Sequence, residues 1–115
     1  MSETPRKLLV DGRELALDEA GYLRDREQWN EAVATALAAA DGFALGDAHW
    51  ELIGFLRAHY ARYQHLPTVA LLARAAAREL GPEKGDITYF YELFPRGPGR
   101  QLFRYAGLPK PSGCR

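Results

Sequence analysis

The chain has 115 residues with 15 Lys+Arg against 15 Asp+Glu, the size of a single domain and too evenly charged to be a polybasic binder of nucleic acid or membrane surfaces. No apolar run approaches the roughly 18 residues of a membrane span, and the start of the chain lacks a signal-peptide core, which points to a cytoplasmic protein with no membrane partner. One cysteine excludes an internal disulfide, and His49, His59 and His65 lack the i,i+4 spacing of a helical metal site, so neither metal nor cofactor is expected.

Lys7–Val10 and Arg13–Leu17 flank Asp11-Gly12, a dipeptide suited to a two-residue type I′ turn, so a short N-terminal hairpin is predicted. Such a hairpin is unstable alone and must pack on helices. Asp25, followed three positions later by Gln28, reads as the cap of a first helix carrying Trp29, Val33 and Leu37 and stopping near Asp41-Gly42. Asp47 reads as the cap of a longer helix from His49 to about Tyr63, with Leu52, Leu56, Tyr60 and Tyr63 at helical spacing and Ile53 beside them. Pro67-Thr68 starts a third helix that buries Val69, Leu72, Ala76 and Leu80 and stops at Gly81-Pro82.

Asp86 then caps an aromatic helix from Ile87 to Phe94, and Pro98 opens another that runs to about Tyr105. From Ala106 to Arg115 two prolines and two glycines rule out a helix. The expected architecture is mainly α: a small orthogonal helical bundle with an N-terminal β-hairpin over residues 1–105, and an extended, mobile C-terminal arm over 106–115. The charge is segregated. From Pro95 onward there are five basic residues and no acid, which leaves ten basic and fifteen acidic residues on the first 94 positions. A basic tail on an acidic body suits docking onto an anionic partner, or folding back on the body itself.

Most familiar chemistries fail on residue supply. The only serines are Ser2 and Ser112, which removes a hydrolase triad, and the glycine-rich stretches at 81–85 and 97–100 match no phosphate loop. Residues 48–80 have the size of a helix-turn-helix, but the second helix offers Arg74, Arg78 and Glu79 as its only charged groups. Reading bases needs several Arg, Asn or Gln side chains at base edges, so direct nucleic-acid binding is not expected. Cys114 stands apart. A lone cysteine is usually buried and inert, yet a penultimate residue after Pro-Lys-Pro-Ser-Gly has no periodic apolar face around it to bury. Its placement suits a thiol delivered to partners, where a thiolate attacks the outer sulfur of a persulfide and later gives that sulfur up.

Tyr89-Phe90-Tyr91-Glu92-Leu93-Phe94-Pro95-Arg96-Gly97-Pro98 and above all Ala106-Gly107-Leu108-Pro109-Lys110-Pro111-Ser112-Gly113-Cys114-Arg115 resemble the DsrC/TusE family of sulfur-relay proteins. His49-Trp50-Glu51, Phe55-Leu56-Arg57 and Leu80-Gly81-Pro82-Glu83-Lys84-Gly85 extend the resemblance over nearly the whole chain. The resemblance implies a sulfurtransferase whose Cys114 carries persulfide sulfur on a swinging arm. The DsrC branch has a second arm cysteine eleven positions earlier; here that position is Phe103, which favours the single-cysteine TusE branch. In that branch the implied partners are a TusBCD-like sulfur donor complex and a tRNA 2-thiouridylase with bound tRNA, modifying wobble uridine. Arg96, Arg100 and Arg104 fall at i, i+4, i+8 and are expected to form a docking stripe, together with the arm residues Gly107, Leu108, Pro109, Lys110, Pro111 and Gly113. The alternatives are a DsrC-like regulatory or DNA-binding helix-turn-helix module, and a non-catalytic subunit of a sulfur-metabolism complex.

Overall fold

The computed structural model describes residues 6–111, so Ser112, Gly113, Cys114 and Arg115 lie outside the described residues. Two antiparallel strands, β1 (Arg6–Val10) and β2 (Arg13–Leu17), pair with Leu8 opposite Leu15 and Val10 opposite Arg13. Asp11 and Gly12 both have positive φ, 51° and 79°, the turn the dipeptide predicts. Alternation turns Leu8, Val10, Leu15 and Leu17 inward, and Leu23 extends the pairing through a bridge to Leu17.

Asp25 does not open the first α-helix. Its carboxylate accepts from Glu27 N and caps a single 3-10 turn, Arg26–Gln28. The chain then breaks at Trp29, and Asn30 caps α1 (Glu31–Ala40) by accepting from Val33 N at 2.9 Å. The break has a cause in the tertiary structure: Trp29 is committed to the far end of the chain. At the other end of α1, Gly42 at φ 71° and Phe43 return N–H bonds to Ala39 O and Ala38 O, which closes the helix with a Schellman motif.

The long helix α2 (Asp47–Tyr63) begins after Gly46, with Asp47 inside its first turn rather than capping it. His49 does the capping: Nδ1 accepts from Gly46 N at 2.9 Å, which leaves Nε2–H to donate to Leu93 O at 2.9 Å. That ring ties the start of α2 to the end of α4. Leu52, Ile53 and Leu56 are fully buried, while Tyr63, expected on the same face, is exposed. Thr68 caps α3 (Val69–Glu79), whose Leu72, Ala73, Ala75 and Ala76 are buried. Gly85 packs so closely on the α3 backbone at Ala77 that no Cβ fits there. Asp86 caps α4 (Ile87–Leu93), as its spacing predicts, with Phe90 and Phe94 in the core.

The segment after Pro98 is helical but not α. Gly99–Phe103 forms a π turn, with Phe103 N donating to Pro98 O, and α geometry returns only at Arg104 and Tyr105. Leu102, Phe103, Tyr105 and Ala106 are completely buried. The core is therefore the hairpin's inner face, α1, α2 and α3, closed by α4 and this C-terminal segment. Among the described residues no helix is long and apolar enough to cross a membrane.

Candidate functional site

The arm does not leave the body at Ala106. Ala106 is completely buried and Leu108 only 2% exposed, both belong to the core, and Gly107 is buried between them. This corrects the expectation that the whole of 106–115 stands outside the core. The chain is held there by backbone chemistry. Trp29 Nε1–H donates to Tyr105 O at 2.7 Å, Arg57 Nη1 donates to Ala106 O at 2.6 Å, and Leu108 N–H donates to Phe103 O at 3.0 Å. These bonds satisfy carbonyls at the helix end that would otherwise be orphaned.

Arg57 also lies over the Trp29 ring, 3.9 Å from its centroid, so cation and indole brace each other while each holds one carbonyl. Burial pulls the Arg57 guanidinium below its ordinary pKa. Gly107 is the pivot. Its φ is +76°, and a Cβ there would sit 2.5 Å from Trp29 Cδ1. Pro109 and Lys110 are the first exposed residues of the arm, and Pro111 is buried again. A groove of about 260 Å³, bordered by Arg26, Arg57, Tyr60, Gln64 and Leu108, opens beside this root.

The expected arginine stripe is divided. Arg96 and Arg100 are exposed, but Arg104 is only 6% exposed and turned inward. Its Nη2 donates to both carboxylate oxygens of Asp41, at 2.9 and 2.8 Å, and Tyr105 OH donates to Asp41 Oδ2 at 2.7 Å. Arg104 is thus withdrawn from the docking surface by an ion pair that clamps the C-terminal segment to the end of α1. Gln101 completes the clamp, donating to Tyr105 OH at 3.3 Å and accepting from Arg96 N at 2.8 Å. A buried pair of this kind fixes geometry more than it adds stability.

Burial alone would raise the Asp41 carboxyl, but the Arg104 and Tyr105 bonds outweigh it and hold it below its usual value. Asp41 thus contributes stability above about pH 4, lost as acid protonates it. Tyr105 is pushed up to about 12, first by burial and then by its bond to Asp41. A phenol raised in the folded state keeps its full contribution below its unfolded value near pH 10 and loses it as pH climbs toward 12. Urea melts should therefore show a fall on the order of 2 kcal/mol across that window, and Tyr105→Phe should show a much smaller one. Equal falls in the two proteins would remove Tyr105 from the clamp's energetics.

The family model described as "DsrC like protein" matches residues 9–115. The chain belongs to the DsrC-like family. Sulfurtransferase TusE of Salmonella typhimurium is 43% identical over 107 residues, covering 93% of this chain and 98% of that protein. Sulfurtransferase TusE of Escherichia coli K12 is 40% identical over the same coverage. The NMR structure of Allochromatium vinosum DsrC has 45% identity and a TM-score of 0.87, covering 97% of this chain and 100% of that one. The oxidised gamma-subunit of the dissimilatory sulfite reductase (DsrC) from Archaeoglobus fulgidus has 41% identity and a TM-score of 0.82, covering 96% and 100%. The resemblance read from the arm and the aromatic helix is thereby established, and with it the mainly helical fold with its hairpin. Phe103 is fully buried in the π turn.

Sequence reasoning missed Trp29, Arg57 and Asp41 as the groups that seat the arm. Periodicity places Trp29 on the apolar stripe of the first helix, and Arg57 is marked only by the family motif Phe55-Leu56-Arg57.

Proposed function

We propose that this sulfurtransferase carries sulfur as a persulfide on Cys114 and relays it from a TusBCD-like donor complex to a cytoplasmic tRNA 2-thiouridylase. The observation that carries the reading is the near-full-length likeness to chains named Sulfurtransferase TusE, in a protein whose single cysteine is the penultimate residue. The Cys114 thiolate attacks the outer sulfur of the donor's persulfide. A new sulfur–sulfur bond forms on Cys114, the donor's own sulfur–sulfur bond breaks, and the electron pair leaves with the donor thiolate, so no net oxidation occurs. A thiolate of the acceptor repeats the step on the Cys114 persulfide.

With one cysteine in the chain, no internal disulfide competes with the persulfide. The rooted segment through Leu108 supports the same reading, because it gives the arm a fixed origin. Covalent geometry allows about 20 Å from Leu108 to Cys114 at ~3.3 Å per residue. Exposed Arg96, Arg100 and Lys110 supply positive charge on the C-terminal segment for an anionic partner surface.

Incubation with a cysteine desulfurase and the donor complex should add about 32 Da, one sulfur atom, to the intact protein. Cys114→Ser should gain nothing, because the chain then has no thiol. Sulfur loading that survives in the serine variant would sink the relay assignment.

A further inference from the structure

A second cavity, sharing no lining residue with the arm's groove, lies between the hairpin, the end of α1 and the π turn. It encloses about 180 Å³, and its walls carry Arg6, Lys7, Arg100 and Arg104. One acid, Asp41, also lines it, and both of its oxygens are already occupied by Arg104 Nη2 and Tyr105 OH. Lys7 makes an exposed pair with Glu14 at 3.3 Å, and Arg6 donates to the backbone carbonyl of Glu19 at 3.3 Å. Arg100 has no hydrogen bond or ion pair among the described residues. The cavity therefore holds more positive charge than its carboxylates neutralise.

Arg104 is the buried cation of this wall. It is 6% exposed, and its Nε and Nη1 are buried without a hydrogen-bond partner. A buried guanidinium with two unpartnered nitrogens is costly, because their three N–H groups have lost water without gaining an acceptor. Gly21, on the same wall, leaves the Nε edge free of any side chain; a Cβ there would lie 3.8 Å from Nε.

The geometry points to a binding site for a small tetrahedral oxyanion of the phosphate or sulfate class, held by Arg104 from within and by Arg100 and Arg6 at the mouth. An ion of that shape presents several strong acceptors to donors converging from different directions, as carboxylates and halides do not. Guanidinium groups suit it for the same reason. The small walled cavity favours a free ion over a nucleic-acid backbone. The site is lined by no described residue of the arm, so its failure would leave the relay reading untouched.

The test is an NMR titration of the full chain with inorganic phosphate at constant ionic strength, chloride making up the balance, read at the arginine Nε–H resonances. A saturable shift of the Arg104 Nε–H is expected, with no comparable shift in chloride alone. Arg100→Gln, at an exposed position that leaves the Asp41 clamp intact, should weaken phosphate binding about tenfold, and thermal stabilisation by phosphate should fall with it. A shift that does not saturate, that chloride reproduces, or that Arg100→Gln leaves unchanged would overturn the site. Displacement of phosphate by a short single-stranded oligonucleotide without a terminal phosphate would overturn the assignment to a free ion.

Discussion

Inserting Gly-Ser between Pro109 and Lys110 is expected to slow sulfur transfer from Cys114 to the acceptor protein about a hundredfold. Alkylation of Cys114 by a small reagent should stay within about twofold, because nothing near the thiol changes. The insertion moves the thiol by up to ~7 Å at ~3.3 Å per residue, and adds a flexible dipeptide to a segment that two prolines stiffen. The position matters. Gly107 and Leu108 are buried, so an extension between them would disturb the core, whereas Pro109 and Lys110 are the first exposed arm residues. The two rates, measured side by side on purified proteins, decide the matter. Equal loss in both assays would mean an altered thiol environment, and no loss in either would make the arm a passive tether.

Gly107→Ala is expected to destabilise the protein by about 3 kcal/mol, from the strain of a non-glycine residue at positive φ and from overpacking. At φ +76° the added methyl would sit 2.5 Å from Trp29 Cδ1 and 2.9 Å from Cγ, inside the ring that anchors Tyr105 O. For a domain of this size the melting temperature should drop by on the order of 10 °C. Gly12→Ala is the control. It has a similar φ of +79° but nothing within 4 Å of the new methyl, so it should cost only about 1 kcal/mol of backbone strain. Thermal melts followed by circular dichroism, with fluorescence in a Trp50→Phe background reporting the Trp29 seat, separate the two. If the two variants melted alike, the Trp29 contact would carry no energy.

On the proposed relay reading, the clamp and the seat give the arm a defined origin. A thiol delivered to partners is useful only if its arm swings from a defined point. Trp29, Arg57 and Gly107 set that point, and Asp41 with Arg104 and Tyr105 fixes the preceding turn.

Much of this protein is legible from neighbouring residues alone. The hairpin follows from alternation around Asp11-Gly12. Thr68 and Asp86 announce α3 and α4, and the Leu52–Leu56 spacing announces the buried face of α2, because turns, caps and periodicity are set within one or two turns of chain. The terminal motif carries the position of Cys114 and the family in the same local way. What the sequence could not determine by itself are the long-range bonds: Asp41 to Arg104 across 63 residues, Trp29 to Tyr105 across 76, and Arg57 to Ala106 across 49. Asp25 and Trp29 satisfy the rules for opening a helix, but Trp29's bond to the distant Tyr105 carbonyl holds the chain extended there, and α1 starts later at Asn30. Arg104 satisfies the rules for a solvated stripe, but Asp41 waits at the end of α1 and draws it inward. Ala106-Gly107-Leu108 has no periodicity to betray its burial, since its place in the core comes from donors on two other elements rather than from its own pattern.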